Sequence, residues 1–304
     1  MPSFRLGSRG SPLALTQAGL VRDALVAAHQ VAHQDIEIVV IRTTGDKVQD
    51  RPLAEIGGKA LWTKELDRAL LAGEIDAAVH SMKDVETIRP EMIAIAAMLP
   101  RADVRDRLVG ADSFEALPEG AVIGTSSPRR AAQVRKLRPD LQTVFFRGNV
   151  DTRLAKLAAG EADATLLAAA GLERLRRQDV GTPIPLNVML PAPAQGAVGV
   201  ECRADDSHAR ALLAAIDDAQ THACILAERA LLAALDASCH SPVAALATIE
   251  GAILTLRAEL LAEDGSAHVY AQIEGAPLDP GLSRAVAADL LARAPDSVRR
   301  LFGG

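Results

Sequence analysis

Aromatic residues are nearly missing: Trp 1, Tyr 1 and Phe 5 make up 2% of the 304-residue chain. Its cores must therefore be built from Ala, Leu, Val and Ile. Stacking platforms for bases are correspondingly scarce, and a formal net charge of -6 adds to the case against a nucleic-acid binder. Cysteine is sparse too. Cys202, Cys224 and Cys239 are odd in number and show no C-x-x-C spacing, which excludes a disulfide framework or zinc knuckle and leaves at least one thiol free. No histidine spacing makes a metal site. No apolar run approaches the roughly 18 residues needed to span a bilayer. The N-terminus MPSFRLGSRGSPLAL lacks the charged-then-apolar order of an export signal, so a cytoplasmic location is expected. Neither G-x-x-x-x-G-K-[ST] nor G-x-G-x-x-G occurs, which argues against a nucleotide triphosphate cradle.

With 49% hydrophobic and 24% charged residues, the composition is that of a soluble globular protein of two or three domains. FRLGSR (4 to 9) reads as a strand. The following helix (11 to 29) has Ser11 at its N-cap and Pro12 at its first position. DIEIVVIR (35 to 42) is strand-like, TTGDKVQDRPLAEIGGK (43 to 59) is a loop, and a helix (60 to 72) leads into a buried strand, IDAAVHS (75 to 81). The order then repeats. AVIGTS (121 to 126) reads as a strand, Ser127-Pro128 opens a helix, LQTVFFR (141 to 147) is a strand, VDTRLAKLAAG a helix and ADATLLAA (162 to 169) a strand. Pro12 and Pro128 each precede a glutamine by five positions (Gln17, Gln133), and AGEIDAAV (72 to 79) is matched by AGEADATL (159 to 166).

Two echoes in one order imply a duplicated α/β domain with mainly parallel sheets, helices on both faces and ligands at the carboxyl ends of the strands. LPRADVRDR (99 to 107) and LPAPAQGA (190 to 197) read as linkers, and VGVECR (198 to 203) as a strand returning to the first domain. After a helix at 221 to 235, short strands (243 to 274) and a last helix (280 to 293) form a small α+β domain. The expected division is residues 1-99 with 198-218, then 100-197, then 219-304.

Charge is uneven. From Ala121 to Arg153 seven cations face two acids, a local excess of +5. In GTSSPRRAAQVRKLRP (124 to 139), Arg129 and Arg130 stand in the first helical turn, where cations are unfavourable unless an anion is bound. Arg135, Lys136 and Arg138 suit a solvated face. FRGNVDTR adds Arg147 and Arg153, and four guanidinium forks suit several carboxylates better than one phosphate. HSMKDV (80 to 85) ends a buried strand with a cation, Lys83, and a candidate general acid/base, Asp84. Taken alone, that stretch also reads as an ordinary turn and His80 as a structural histidine. Cys239, beside His240, reads either as a reactive loop thiol or as an ordinary free cysteine.

RLGSRGSPLALTQA, TTGDKVQDRPLAEIGGKALWTKEL, DAAVHSMKDV, GTSSPRRAAQV, FRGNVDTRLAKL, LAAAGLERL, PAPAQGAVGVECR and the Cys239 loop run in one order up to about residue 245. In these blocks the chain resembles the porphobilinogen deaminase (hydroxymethylbilane synthase) family of tetrapyrrole and heme biosynthesis. The resemblance implies two doubly wound domains like those of bilobal (type II periplasmic) binding proteins, plus a small α+β domain. It implies a transferase that joins four porphobilinogen units head to tail, with loss of ammonia, onto a covalent dipyrromethane cofactor and then releases hydroxymethylbilane. It also implies a cytoplasmic monomer with no nucleic-acid or membrane partner.

Carried over by motif, Cys239 matches the thioether cysteine, and Ser81, Lys83, Asp84, Thr125, Ser127, Arg129 and Arg130 would hold the cofactor. Arg9, Ser11, Arg147, Arg153 and Arg174 would handle substrate. Asp84 would be the catalytic carboxylate, serving pyrrole N–H and the cationic azafulvene formed as ammonia leaves. The stretch with Gly57, Gly58 and Lys59 has the composition of a mobile lid. Ala237-Ser238 stands where Gly-Gly is usual, Ala194 where Gly is usual and Trp62 where Phe is common. A left-handed backbone at Ala237-Ser238 would strain the cysteine loop. The reading from another class is a non-catalytic bilobal module that only binds a polycarboxylate.

Overall fold

A computed structural model describes residues 4–42 and 63–302. It divides into two compact units, Met1–Ala102 with Gly196–His222 and Asp103–Gln195 with Ala223–Gly304.

The first unit holds a five-stranded sheet. β1 (Phe4–Arg9) pairs in parallel with β2 (Ile36–Ile41) and β3 (Ala77–Ser81). β10 (Val198–Arg203) runs antiparallel between β3 and β4 (Ile93–Met98), giving the order β2-β1-β3-β10-β4. Helix α1 (Pro12–His29) buries Ala18, Val21 and Leu25 on one face together with Ala209 and Leu213 of α6 (Ser207–Ala214). Leu66, Ala69 and Leu70 of α2 (Lys64–Leu71) cover the other face. Ser11 caps α1 by accepting from the Ala14 N–H at 3.3 Å.

The second unit repeats this plan. β6 (Val122–Gly124) pairs in parallel with β7 (Gln142–Val144) and β8 (Ala164–Ala168). β5 (Asp106–Val109) runs antiparallel between β8 and β9 (Thr182–Pro183), for the order β7-β6-β8-β5-β9. Helix α3 (Pro128–Leu137) packs Val134 on one face, and α4 (Val150–Ala158) and α5 (Ala169–Arg174) cover the other. In each sheet one strand runs against the rest, which the expectation of mainly parallel pairing did not anticipate.

Register makes the duplication explicit. Leu6 lies opposite Ala77 and Ile123 opposite Ala164, and residues 77 and 164 hold matching positions in the AGE echo. Following the strands, Ser81 corresponds to Ala168, and their antiparallel partners, Val198 and Asp106, correspond to each other. Gly7 and Gly124 also match. A Cβ on the first would sit 2.2 Å from Ile75 Cδ1, and one on the second 2.4 Å from Phe146 Cδ2. That contact shortens the expected 141 to 147 strand, because Phe146 leaves the edge after Val144 and turns inward to become buried.

The second unit also contains a meander of β11 (Val243–Glu250), β12 (Ile253–Leu261) and β13 (His268–Gly275). Its core is closed by α7 (Ala219–Ala234) and α8 (Leu282–Arg293), with Leu231, Val286 and Leu290 packed against Leu256, Leu260 and Val269. The β12–β13 connection docks on α3. Arg135 donates to the Glu263 carbonyl at 2.8 Å, and Lys136 pairs with Glu259 at 2.5 Å. Arg138 pairs with Asp140 at 2.7 Å. The expected solvated face is thus half-buried and bonded, since a short hairpin needs a partner surface for its polar rim. The stretch 99 to 107, read as a linker, likewise supplies the first residues of β5.

Candidate active site

In the first unit the chemistry gathers where β3 ends. Ser81 is its last residue; Met82 N–H then reaches Ala197 O at 3.1 Å, and the chain tightens into a 3-10 turn over Met82–Asp84. Gln17, buried in α1, shares hydrogen bonds with the Ser81 hydroxyl at 2.7 and 3.2 Å. A recess is lined by Arg9, Ser11, Gln17, His80, Ser81 and Asp84. The structure thereby brings four of the sequence candidates, Arg9, Ser11, Ser81 and Asp84, to one wall. Asp84 is exposed, and Lys83 stands half-buried in the same turn. The second copy has Ala169-Ala170-Gly171 where the first has Met82-Lys83-Asp84, so the duplicated strand end carries no carboxylate.

In the second unit β6 runs into Thr125-Ser126-Ser127 and the start of α3. Ser127 caps the helix by accepting from Arg130 N–H at 3.4 Å, and Thr125 is buried. Arg153 reaches over from α4 to donate to Ser126 Oγ at 3.3 Å and Gly148 O at 3.1 Å, which joins it to the Thr125–Ser127 stretch. Arg147 is half-buried at the approach to α4, and Arg174, at the end of α5, is held below its ordinary pKa by burial.

Arg129 and Arg130 are 3% and 6% exposed. Both pair with Asp106: Arg129 Nη2 lies 2.8 Å from Oδ2 and Arg130 Nη2 lies 2.6 Å from Oδ1. Gln195 donates to the same carboxylate at 2.9 Å. Burial alone would raise the Asp106 pKa, but the two guanidinium groups hold it well below the carboxylate range. Two buried cations thus share one buried anion, while the nearby Glu259 is matched by Lys136. The Nε atoms of both arginines are buried without a hydrogen-bond partner. One positive charge in excess at the start of the helix that follows Thr125-Ser126-Ser127 fits a carboxylate-bearing cofactor.

Cys239 is exposed in the loop between α7 and β11, where Ser238 N–H bonds Ser241 Oγ at 3.1 Å and Ser241 N–H bonds Ser238 O at 3.0 Å. The left-handed position in this stretch is Asp236 (φ 47), not Ala237 or Ser238. The strain expected at Ala237-Ser238 is absent. Ala194, in the segment before β10, is also left-handed (φ 61), and its N–H donates to the buried Glu228 at 2.5 Å. Gly57, Gly58, Lys59 and Trp62 lie outside the described residues. Among the described residues no His, Cys, Asp and Glu group could hold a metal ion.

Sequence reading missed Asp106, Gln195 and Glu201, whose partners are remote in the chain; Gln17 carried a signal, its echo with Gln133. Cys202 and Cys224 are buried, and burial pushes the Cys202 thiol up to about 11.

The family model described as "Porphobilinogen deaminase, dipyromethane cofactor binding domain" matches residues 4–211, and "Porphobilinogen deaminase, C-terminal domain" matches residues 222–291. The porphobilinogen deaminase of Sphingopyxis alaskensis is 59% identical, covering 98% of this chain and 96% of that one. That of Paracoccus denitrificans is 53% identical, covering 96% and 95%. Among solved structures, the VFT2 domain of Bordetella pertussis BvgS is 14% identical with a TM-score of 0.41, covering 70% of this chain and 84% of that one, a likeness too distant to bear on function. Family-model matches over residues 4–211 and 222–291, with relatives above half identity, place the chain in the porphobilinogen deaminase family.

Proposed function

We propose that this chain performs its family's reaction, the head-to-tail joining of porphobilinogen units with loss of ammonia, using the residues gathered above. The observation that carries the assignment is the pair Arg129 and Arg130 sharing a single Asp106, which leaves buried positive charge beside Thr125 and Ser127. These residues hold the carboxylates of the dipyrromethane cofactor, and Cys239 anchors it through a thioether. When bound, the cofactor supplies the primer to which substrate units are joined. Ser81 and Lys83 are further cofactor-binding residues.

Asp84 is the catalytic carboxylate. It accepts from a pyrrole N–H, faces the cation that develops as ammonia leaves, and takes the proton released after the carbon–carbon bond forms. Arg9, Ser11, Arg147, Arg153 and Arg174 hold the acetate and propionate groups of incoming units. Charge-assisted hydrogen bonds of about 1.5–3 kcal/mol each suffice to bind a polyanion that must still shift. The matching turn in the second unit lacks a carboxylate, which supports one catalytic centre reused in each cycle.

Three domains, residues 1-99 with 198-218, 100-197 and 219-304, are proposed, each supported by one sheet. A cytoplasmic monomer is proposed from the family resemblance. Among the described residues no helix is long and apolar enough to cross a membrane.

Intact-mass spectrometry tests the assignment. The purified chain should carry an excess equal to two linked pyrroles that is lost in Cys239→Ser, and an active chain of unmodified mass would overturn it. Arg129→Leu or Arg130→Leu should likewise impair cofactor loading.

A further inference from the structure

Asp84 sits between two tethers that lead to the same buried ion pair. Four residues before it, His80 Nε2 lies 3.1 Å from Glu201 Oε2. Two residues after it, Glu86 Oε2 accepts from Arg89 Nη1 at 2.5 Å. Arg89 and Glu201 are themselves joined in bidentate fashion, Nε to Oε1 and Nη2 to Oε2, both at 2.8 Å. Glu201 is fully buried on β10 and the Arg89 side chain is 8% exposed. Asp67 of α2 accepts from Arg89 at 2.6 Å, and Thr63 donates to Glu86 at 2.9 Å.

We propose that Glu201 and Arg89 are positioning residues, a buried clamp that fixes the geometry of the turn carrying Asp84 by holding both of its flanks. This rests on the reading of Asp84 as the reacting carboxylate.

Three features argue for positioning beyond stability. A buried ion pair contributes little net stability compared with apolar packing, so its energetic return is weak, whereas its directionality specifies one geometry. The exposed Asp84 has to be placed by its neighbours, and a carboxylate displaced by about 1 Å can lose roughly a hundredfold in rate. Finally, the clamp fixes the His80 ring. Burial would push the Glu201 pKa up, yet His80 and Arg89 bring it down to about 2, so a carboxylate stands 3.1 Å from His80 Nε2. The charged groups around that ring are Glu201 from β10, Asp67 from α2, and Glu86 and Arg89 from the segment after the turn.

The test measures steady-state kinetics per cofactor-loaded, folded chain for Glu201→Gln, Glu86→Gln and Arg89→Lys, with Asp84→Asn in parallel. Glu201→Gln should lower kcat about tenfold or more while changing KM less than about threefold, since substrate contacts stay in place. Glu86→Gln, nearer the surface, should show the same kcat-selective loss at about threefold or more. A purely structural role would reduce the folded fraction and leave kcat per folded chain untouched; that result overturns the clamp. Should Glu201→Gln not fold, Glu86→Gln decides, and wild-type kcat there overturns the proposal. An active Asp84→Asn variant would sink the reading of the site itself, whereas an inactive one beside normal Glu201→Gln and Glu86→Gln variants would sink the clamp alone.

Discussion

Arg130 donates to Asp106 at 2.6 Å with both side chains buried. The basic start of α3 therefore faces inward onto one carboxylate, which Arg129 shares from the other side. An acidic chain keeps these two arginines for a purpose that surface electrostatics does not serve, because a lone buried anion leaves the pair one charge short of neutrality.

Removing that anion should be costly. Asp106→Ala leaves two buried guanidinium groups without their counter-ion, and unfolding free energy should fall by about 3–5 kcal/mol in urea titrations. The pH dependence has a definite sign. Asp106 has a depressed folded pKa, so its contribution is present above the ordinary carboxylate value of about 3.9 and is lost as pH falls below it, where the unfolded chain binds the proton first. The gap between wild type and Asp106→Ala should narrow through that acid range, and a gap independent of pH would refute the charge argument.

The role of Asp106 is hidden by its sequence context. RADVRDR has the composition of a linker, and an aspartate inside a strand looks wrong until its partners, 23 and 24 residues on, are known. Periodicity found β1, α1, β3 and β8 because each is anchored by local apolar spacing. It did not find β4, β5, α5 or α6, whose residues pack against elements distant in the chain. The site shows the same division: HSMKDV and GTSSPRR are legible as motifs, while Gln195, in the turn before β10, and Glu201, on β10, gain their roles from partners distant in the chain. The helix face of Arg135 and Lys136 differs from the expected solvated face because sequence shows charge but not the hairpin that meets it.

Asp84 is exposed, so its replacement should separate chemistry from folding. Asp84→Asn should lose about 10²–10⁴ in kcat, the usual span for a general acid/base, while its melting curve overlays wild type and its mass retains the cofactor. Gln17→Ala should do the opposite. Loss of the buried Ser81 partner should cost about 1–3 kcal/mol of stability, seen in urea titration. Equal kinetic effects of the two variants would show that Asp84 is misassigned.

The glycine positions taken over by larger residues can be ranked by backbone conformation. Ala194 adopts φ 61, a left-handed conformation costing about 1–2 kcal/mol, whereas Ala237 does not. Both methyl groups are buried and worth about 0.8 kcal/mol each. Ala194→Gly should therefore stay within about 0.5 kcal/mol of wild type, because strain relief offsets lost burial and added chain entropy, while Ala237→Gly should cost about 1–2 kcal/mol. Identical losses measured by calorimetry would mean that Ala194 carries no strain.

The docking of the C-terminal hairpin on α3 can be tested with one methyl group. Gly265 (φ 73) lies so close to the helix that a Cβ would stand 2.6 Å from Lys136 N and 2.8 Å from Ala132 O, backbone atoms that cannot swing aside. Gly251 has a similar φ of 61 but nothing within 4 Å. Gly251→Ala should thus cost about 1 kcal/mol, from left-handed strain partly offset by reduced chain entropy. Gly265→Ala adds overpacking of about 1–3 kcal/mol to the same term. Because α3 also carries Arg129 and Arg130, the larger penalty should be accompanied by reduced cofactor loading in intact mass. Equal penalties for the two glycines would show that the hairpin does not bear on the helix.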